Sequence, residues 1–169
     1  MRLLVHAAAG GLAAVPAAAA ELVISVEIPR LTVSEYHRPY VAVWLEGAGQ
    51  TVTNLAVWYD VDMKGGEGTK WLKDLRTWWR RSGRELTMPA DGVSGATRPP
   101  GTHRLAFAGD KGAVTGLPAG EYTLVVEAAR EVGGRELLRV PFQWPPSGPA
   151  KADAKGESEL AAVTIDLKP

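Results

Sequence analysis

EYTLVVEAAREV-GG-RELLRVPFQW, residues 121–144, is the stretch that decides the fold. Two β-rich apolar runs, 121–132 and 135–144, flank Gly133 and Gly134. A glycine pair supplies the positive-φ residues of a tight two-residue hairpin, so the pattern predicts two long antiparallel neighbours late in the chain. Upstream, Leu22, Ile24, Val26 and Ile28 alternate over residues 21–28 and predict a first strand. Residues 40–45 and 51–60 predict two more, joined through Gly47, Ala48 and Gly49. Residues 102–108, a short run at 112–115 and the alternating run 160–167 complete the set, and the Pro-rich stretch 145–155 is expected to be a loop. Many short strands separated by turn signals predict a mainly β chain, an immunoglobulin-like antiparallel β-sandwich.

One segment departs from the period of two. Trp71, Leu75, Trp78 and Trp79 fall on one helical face, with Lys73, Arg76, Arg80 and Arg84 opposite. This predicts a single amphipathic helix over 70–82, capped by Thr69 and closed by Gly83. The helix and the loop after it, together 70–101, form an insertion between the early and late strands.

Composition narrows the function. The 169 residues are 46% hydrophobic, which suits one globular domain. Nineteen basic and 19 acidic side chains balance, so no global field draws the chain to nucleic acid or an anionic membrane. There is no cysteine, which removes disulfides, thiolate metal sites and Cys nucleophiles, and leaves redox chemistry to a cofactor. His37 and His103 are not at ligand spacing, and no metal site is expected. At the N-terminus Arg2 precedes an Ala/Gly/Leu/Val-rich run that ends in alanines before Glu21. This describes a secretory signal peptide over residues 1–20, cut after Ala20, and predicts a periplasmic domain over 21–169.

Residues Asp91, Gly92, Val93, Ser94, Gly95, Ala96 and Thr97 are followed by Arg98, Pro99, Pro100 and Gly101. Small and turn-forming side chains predict an exposed loop, off any helix or strand, that presents the Thr97 hydroxyl. The stretch resembles the flavinylation motif of extracytoplasmic flavoproteins: an Asp, two variable residues, Ser or Thr, then Gly-Ala-Thr. Asp91, Ser94, Gly95, Ala96 and Thr97 fill its places. The segments 70–79 and 120–130 resemble a family of small periplasmic proteins, the DUF2271 family. These resemblances imply FMN held covalently as a phosphoester on Thr97, and as partners a flavin transferase and a membrane PepSY-type reductase. They imply electron transfer outside the cytoplasm by a carrier rather than a stand-alone enzyme, with iron reduction or uptake as one setting.

A threonine hydroxyl is a weak nucleophile, and no sequence neighbour of Thr97 supplies a base, so activation is expected in trans. Gly95 and Ala96 would leave room for the transferase, and Asp91 would either assist recognition or make an Asx-turn. Trp78 and Trp79 would stack on the flavin ring or, by their helical spacing, pack in the core. Arg98, with Arg80, Arg81 and Arg84, would pair with the FMN phosphate or lie on a solvated face. A triad of Ser94, His103 and Asp91 lacks a nucleophile elbow. The rival readings are a non-redox binding module in which Thr97 is structural, and a flavin-dependent reductase of a small substrate such as a ferric chelate.

Overall fold

The computed structural model describes residues 19–169, and the expected export signal lies outside them apart from its last two residues. The strands are β1 (Glu21–Ile28), β2 (Tyr40–Glu46), β3 (Val52–Tyr59), β4 (Ser94–Ala96), β5 (Gly101–Ala108), β6 (Gly120–Ala129), β7 (Arg135–Trp144), β8 (Ala150–Lys155) and β9 (Ala162–Lys168). They form a four-stranded sheet in the order β5-β1-β9-β8 and a five-stranded sheet in the order β4-β3-β2-β6-β7. The chain is thus a mainly β, sandwich-like protein, as its alternating runs predict.

The period of two sorts side chains into two cores. Leu22, Ile24 and Val26 of β1 meet Val41, Val43 and Leu45 of β2 and Leu124 and Val126 of β6 between the sheets. The other face of the five-stranded sheet is also covered. There Ala42, Trp44, Val57 and Val125 pack under Leu72, Leu75 and Trp78 of the inserted segment. Residues Tyr40 to Leu45 are therefore buried without interruption, the pattern of a strand enclosed on both faces.

The predicted helix over 70–82 is replaced by two shorter pieces. A 3-10 segment (Lys64–Asp74) leads into the helix α1 (Arg76–Arg81), with Leu75 at φ −75° and ψ 71° between them. The kink at Leu75 breaks the 3.6-residue period, and Leu72 from the 3-10 segment, Leu75 from the kink and Trp78 from α1 turn together onto the sheet. Each is fully buried, whereas Trp71, counted on the apolar face by a 3.6-residue period, is 52% exposed. Thr69 does not cap by accepting a backbone N–H; its hydroxyl donates to the Gly66 carbonyl at 2.7 Å. Gly83 lies just past α1, and a Cβ there would stand 2.6 Å from the Trp78 ring.

The β6–β7 hairpin is present, but its turn is longer than predicted. Ala129 pairs with Arg135, and residues 130–134 form the loop, with Val132 at φ 52°. The glycines serve close approach instead of turn torsion. A Cβ on Gly134 would lie 2.9 Å from Glu159 Oε1, and one on Gly133 would lie 2.4 Å from the Arg130 guanidinium carbon.

Three further expectations are corrected. Residues 112–114 form a 3-10 turn instead of a strand. Part of the expected loop 145–155 is strand β8, an edge strand where exposed Lys151, Asp153 and Lys155 alternate with Ala152 and Ala154 on the core. Charged edges of this kind resist unwanted strand pairing. Finally, the 91–97 segment is not free of regular structure: Ser94–Ala96 runs parallel to β3 in the register Val57↔Ser94, Trp58↔Gly95 and Tyr59↔Ala96.

Candidate functional site

The β3–β4 pair fixes Thr97. Its backbone N–H donates to the Tyr59 carbonyl at 3.2 Å, extending the ladder by one bond. Its hydroxyl lies 3.4 Å from Asp60 Oδ1, the first residue after β3. Asp60 is anchored in turn. The Tyr40 hydroxyl donates to the Gly68 carbonyl at 3.0 Å and lies 3.4 Å from Asp60 Oδ2. Burial pushes the Tyr40 hydroxyl up to about 12, so it remains a neutral donor at neutral pH. Sequence reasoning missed Asp60, because nothing in a strand end signals a parallel partner that arrives 37 residues later.

The loop before Thr97 is closed by Ser94. Its hydroxyl accepts the Ala90 N–H at 2.9 Å, while the N–H groups of Val93 and Ser94 both donate to the Ala90 carbonyl. Those donors are thus committed, and the exposed Asp91 does not make the Asx-turn considered for it. Gly95 gives room to Trp58: a Cβ there would lie 3.3 Å from the indole Cδ1. Arg98 holds its guanidinium over the same ring, 5.3 Å from the centroid, and the His103 ring meets Trp58 edge-on at 5.7 Å.

Thr97 and Asp60 stand on the rim of a cleft of about 730 Å³ at one end of the five-stranded sheet. Tyr36, Trp71, Met63 and Arg130 line it as well. Its volume lies within the usual range for small-molecule sites. Trp71, Met63 and Val132, exposed by 52%, 42% and 69%, all face this cleft. Three large exposed apolar side chains thus gather around one concavity.

Two carboxylates hold the walls. Glu159 takes Arg130 Nε at 2.8 Å, its terminal NH2 at 3.2 Å and the Gly134 N–H at 2.8 Å, in a pair whose side chains are 6% and 4% exposed. Glu127, fully buried, accepts the N–H groups of Thr77 at 3.0 Å and Trp78 at 2.7 Å. It thereby caps α1 from β6, in place of a local N-cap side chain, and Arg135 neutralises it. Arg130 and Arg135 both border the cleft.

The structure separates the predicted aromatic residues from Thr97. Trp78 is fully buried in the outer core and donates its indole N–H to Asn54 Oδ1 at 2.8 Å. Trp79 packs beside it, with ring centroids 6.3 Å apart. Neither lines the cleft, and Trp71 stands there instead. No group of three metal-ligating side chains occurs among the described residues.

These features define a two-sheet β-sandwich with a helical cover and a ligand-sized cleft that has a threonine hydroxyl on its rim. The chain belongs to the DUF2271 family, described as predicted periplasmic proteins, whose model matches residues 21–162. No curated protein and no solved structure matches the chain.

Proposed function

We propose that this protein is an exported electron carrier that holds FMN as a phosphoester on Thr97 and passes electrons between a membrane reductase and an extracytoplasmic acceptor. The observation that carries this reading is the placement of the Thr97 hydroxyl on the rim of a cleft of about 730 Å³ bordered by Trp71, Met63 and Tyr36. A planar, partly apolar ring fits such a lining. Bound FMN would supply the redox chemistry, and the chain supplies attachment, burial and polarity.

The roles of the residues follow from their positions. In the transferase's active site Thr97 Oγ1 would attack the pyrophosphate of FAD at the flavin-side phosphorus, forming the phosphoester as the P–O bond to AMP breaks and AMP leaves, while the Asp60 carboxylate orients the hydroxyl and receives its proton. The exposed Asp91 and Ala96 face outward for a flavin transferase, while Ser94 and Gly95 hold the loop against β3. Trp71 offers a stacking face, one of the two parts weighed from sequence for Trp78 and Trp79. Arg98 follows Thr97 directly but does not line the cleft; its guanidinium rests over Trp58, so the phosphate contact considered for it has no support in its position.

The test is intact mass and visible spectrum of protein secreted alongside a flavin transferase, with Thr97→Val as control. Gain of one FMN less water by the wild type alone supports the reading. Absence of loading with an active transferase would remove it. A second reading, non-covalent binding of a planar ligand by a non-redox module, is favoured by the exposure of Trp71. That protein would stay unmodified yet still bind ligand in the cleft.

A further inference from the structure

Tyr36 and Arg130 share one corner of the cleft. Arg130 is 6% exposed, and Glu159 occupies its Nε and one terminal nitrogen. The other terminal nitrogen, NH1, is buried and has no hydrogen-bond partner, and the same is true of the Tyr36 hydroxyl. The guanidinium lies 5.9 Å from the Tyr36 ring centroid, so the two unpaired groups belong to one corner. Buried polar atoms are rarely left unpaired in folded proteins, and a pair of them beside a cleft asks for a partner from outside the chain.

We propose that Tyr36 and Arg130 form a polar end-stop that donates hydrogen bonds to the carbonyl edge of a planar heteroaromatic ligand. On the carrier reading, which this deepens, that edge is the pyrimidine side of the flavin ring. Charge decides the kind of acceptor. Glu159 already pairs with Arg130, so the charge of that guanidinium is balanced within the chain and its free N–H suits a neutral carbonyl better than a carboxylate or phosphate. Burial raises the Tyr36 hydroxyl above its ordinary value, which keeps it protonated as a donor. Donors on this edge favour the electron-rich, reduced ring over the oxidised one.

The deciding experiment titrates lumiflavin, the ring without phosphate, into full-length Thr97→Val protein made without a transferase, followed by quenching of flavin fluorescence. Tyr36→Phe keeps the aromatic ring beside the guanidinium and removes only the hydroxyl. Adding it to Thr97→Val is expected to weaken binding about fivefold, the worth of one hydrogen bond. Equal affinity in the two proteins, or no saturable binding in either, overturns the proposal. On protein loaded at Thr97, Tyr36→Phe is expected to move the midpoint potential to a more negative value, and an unchanged potential also overturns it. Intact mass reports loading independently. Loading without any Tyr36 effect keeps the carrier and removes the end-stop, whereas Tyr36-dependent lumiflavin binding without loading keeps the end-stop and removes the attachment.

Discussion

The Thr97 hydroxyl oxygen stands 3.4 Å from Asp60 Oδ1, and the two meet because β4 runs parallel to the end of β3. On the proposed function this carboxylate prepares the hydroxyl for phosphoryl transfer. Asp60→Asn keeps the shape and removes the base. It is expected to slow FMN loading about 10²-fold, a modest share for a lost general base, with little change in Tm. Loading rate by intact mass, beside a thermal melt, checks both halves.

Gly68 sets the position of Asp60. A Cβ on Gly68 would fall 2.1 Å from the Asp60 carbonyl oxygen, which is backbone and cannot swing away. Gly68→Ala is expected to cost about 1–3 kcal/mol and lower Tm by roughly 3–10 °C. Because the strain acts on Asp60 itself, loading at Thr97 should slow as well. Unchanged loading in a destabilised variant would uncouple Gly68 from the site.

The acid limb of stability should depend on two carboxylates. Burial alone would raise the Glu136 carboxyl, but hydrogen bonds from the N–H groups of Glu157, Leu160 and Ser158 outweigh it and hold it below its ordinary 4.5. At Glu46 burial is likewise outweighed, here by Arg139, Trp44 and Arg81. Between the lowered native values and 4.5 the unfolded chain binds more protons, so stability rises with pH across that window. It is fully present above 4.5 and lost as pH falls through the native values. Thermal melts between acid and neutral pH should show this decline, and Glu136→Gln should flatten it.

Glu127 joins β6 to the cover segment. Removing its carboxylate orphans the Thr77 and Trp78 N–H groups at the start of α1. Glu127→Ala is expected to cost about 3 kcal/mol and to lower Tm by roughly 6–12 °C. Glu127→Gln, which keeps an acceptor, should lose less. A larger loss in the glutamine variant than in the alanine variant would contradict the capping role.

The sandwich was legible because β1 and β9 carry the period of two and the apolar runs of β6 and β7 flank a glycine pair, whereas the burial of β2 on both faces emerged only with the cover segment in place. The sequence singled out Thr97 through the small residues around it, but read as an exposed loop what is a short parallel strand that leaves Thr97 only partly exposed. What surrounds it was not legible. Asp60, Tyr36 and Arg130 reach the cleft through pairing across the chain, which leaves no local mark. A 3.6-residue period put Trp71 on the buried face, but the kink at Leu75 leaves it exposed at the cleft, while Trp78 takes the core position weighed for it. Strand β8 escaped notice because its inward residues are alanines, whose preference for strands is weak.

The cover segment contributes Trp71, Asp74 and Arg76 to the cleft, and Glu127 locks its helix to the sheet beneath. To swing this wall outward would strip a fully buried carboxylate of two donors at once. That side of the cleft is therefore tied to β6 through two hydrogen bonds to a buried carboxylate. For a redox group seated there, surroundings that are already in position need little rearrangement when an electron arrives or departs. On the proposed function, a wall held in this way would speed exchange during a brief encounter and leave the choice of partner to the surface around Thr97.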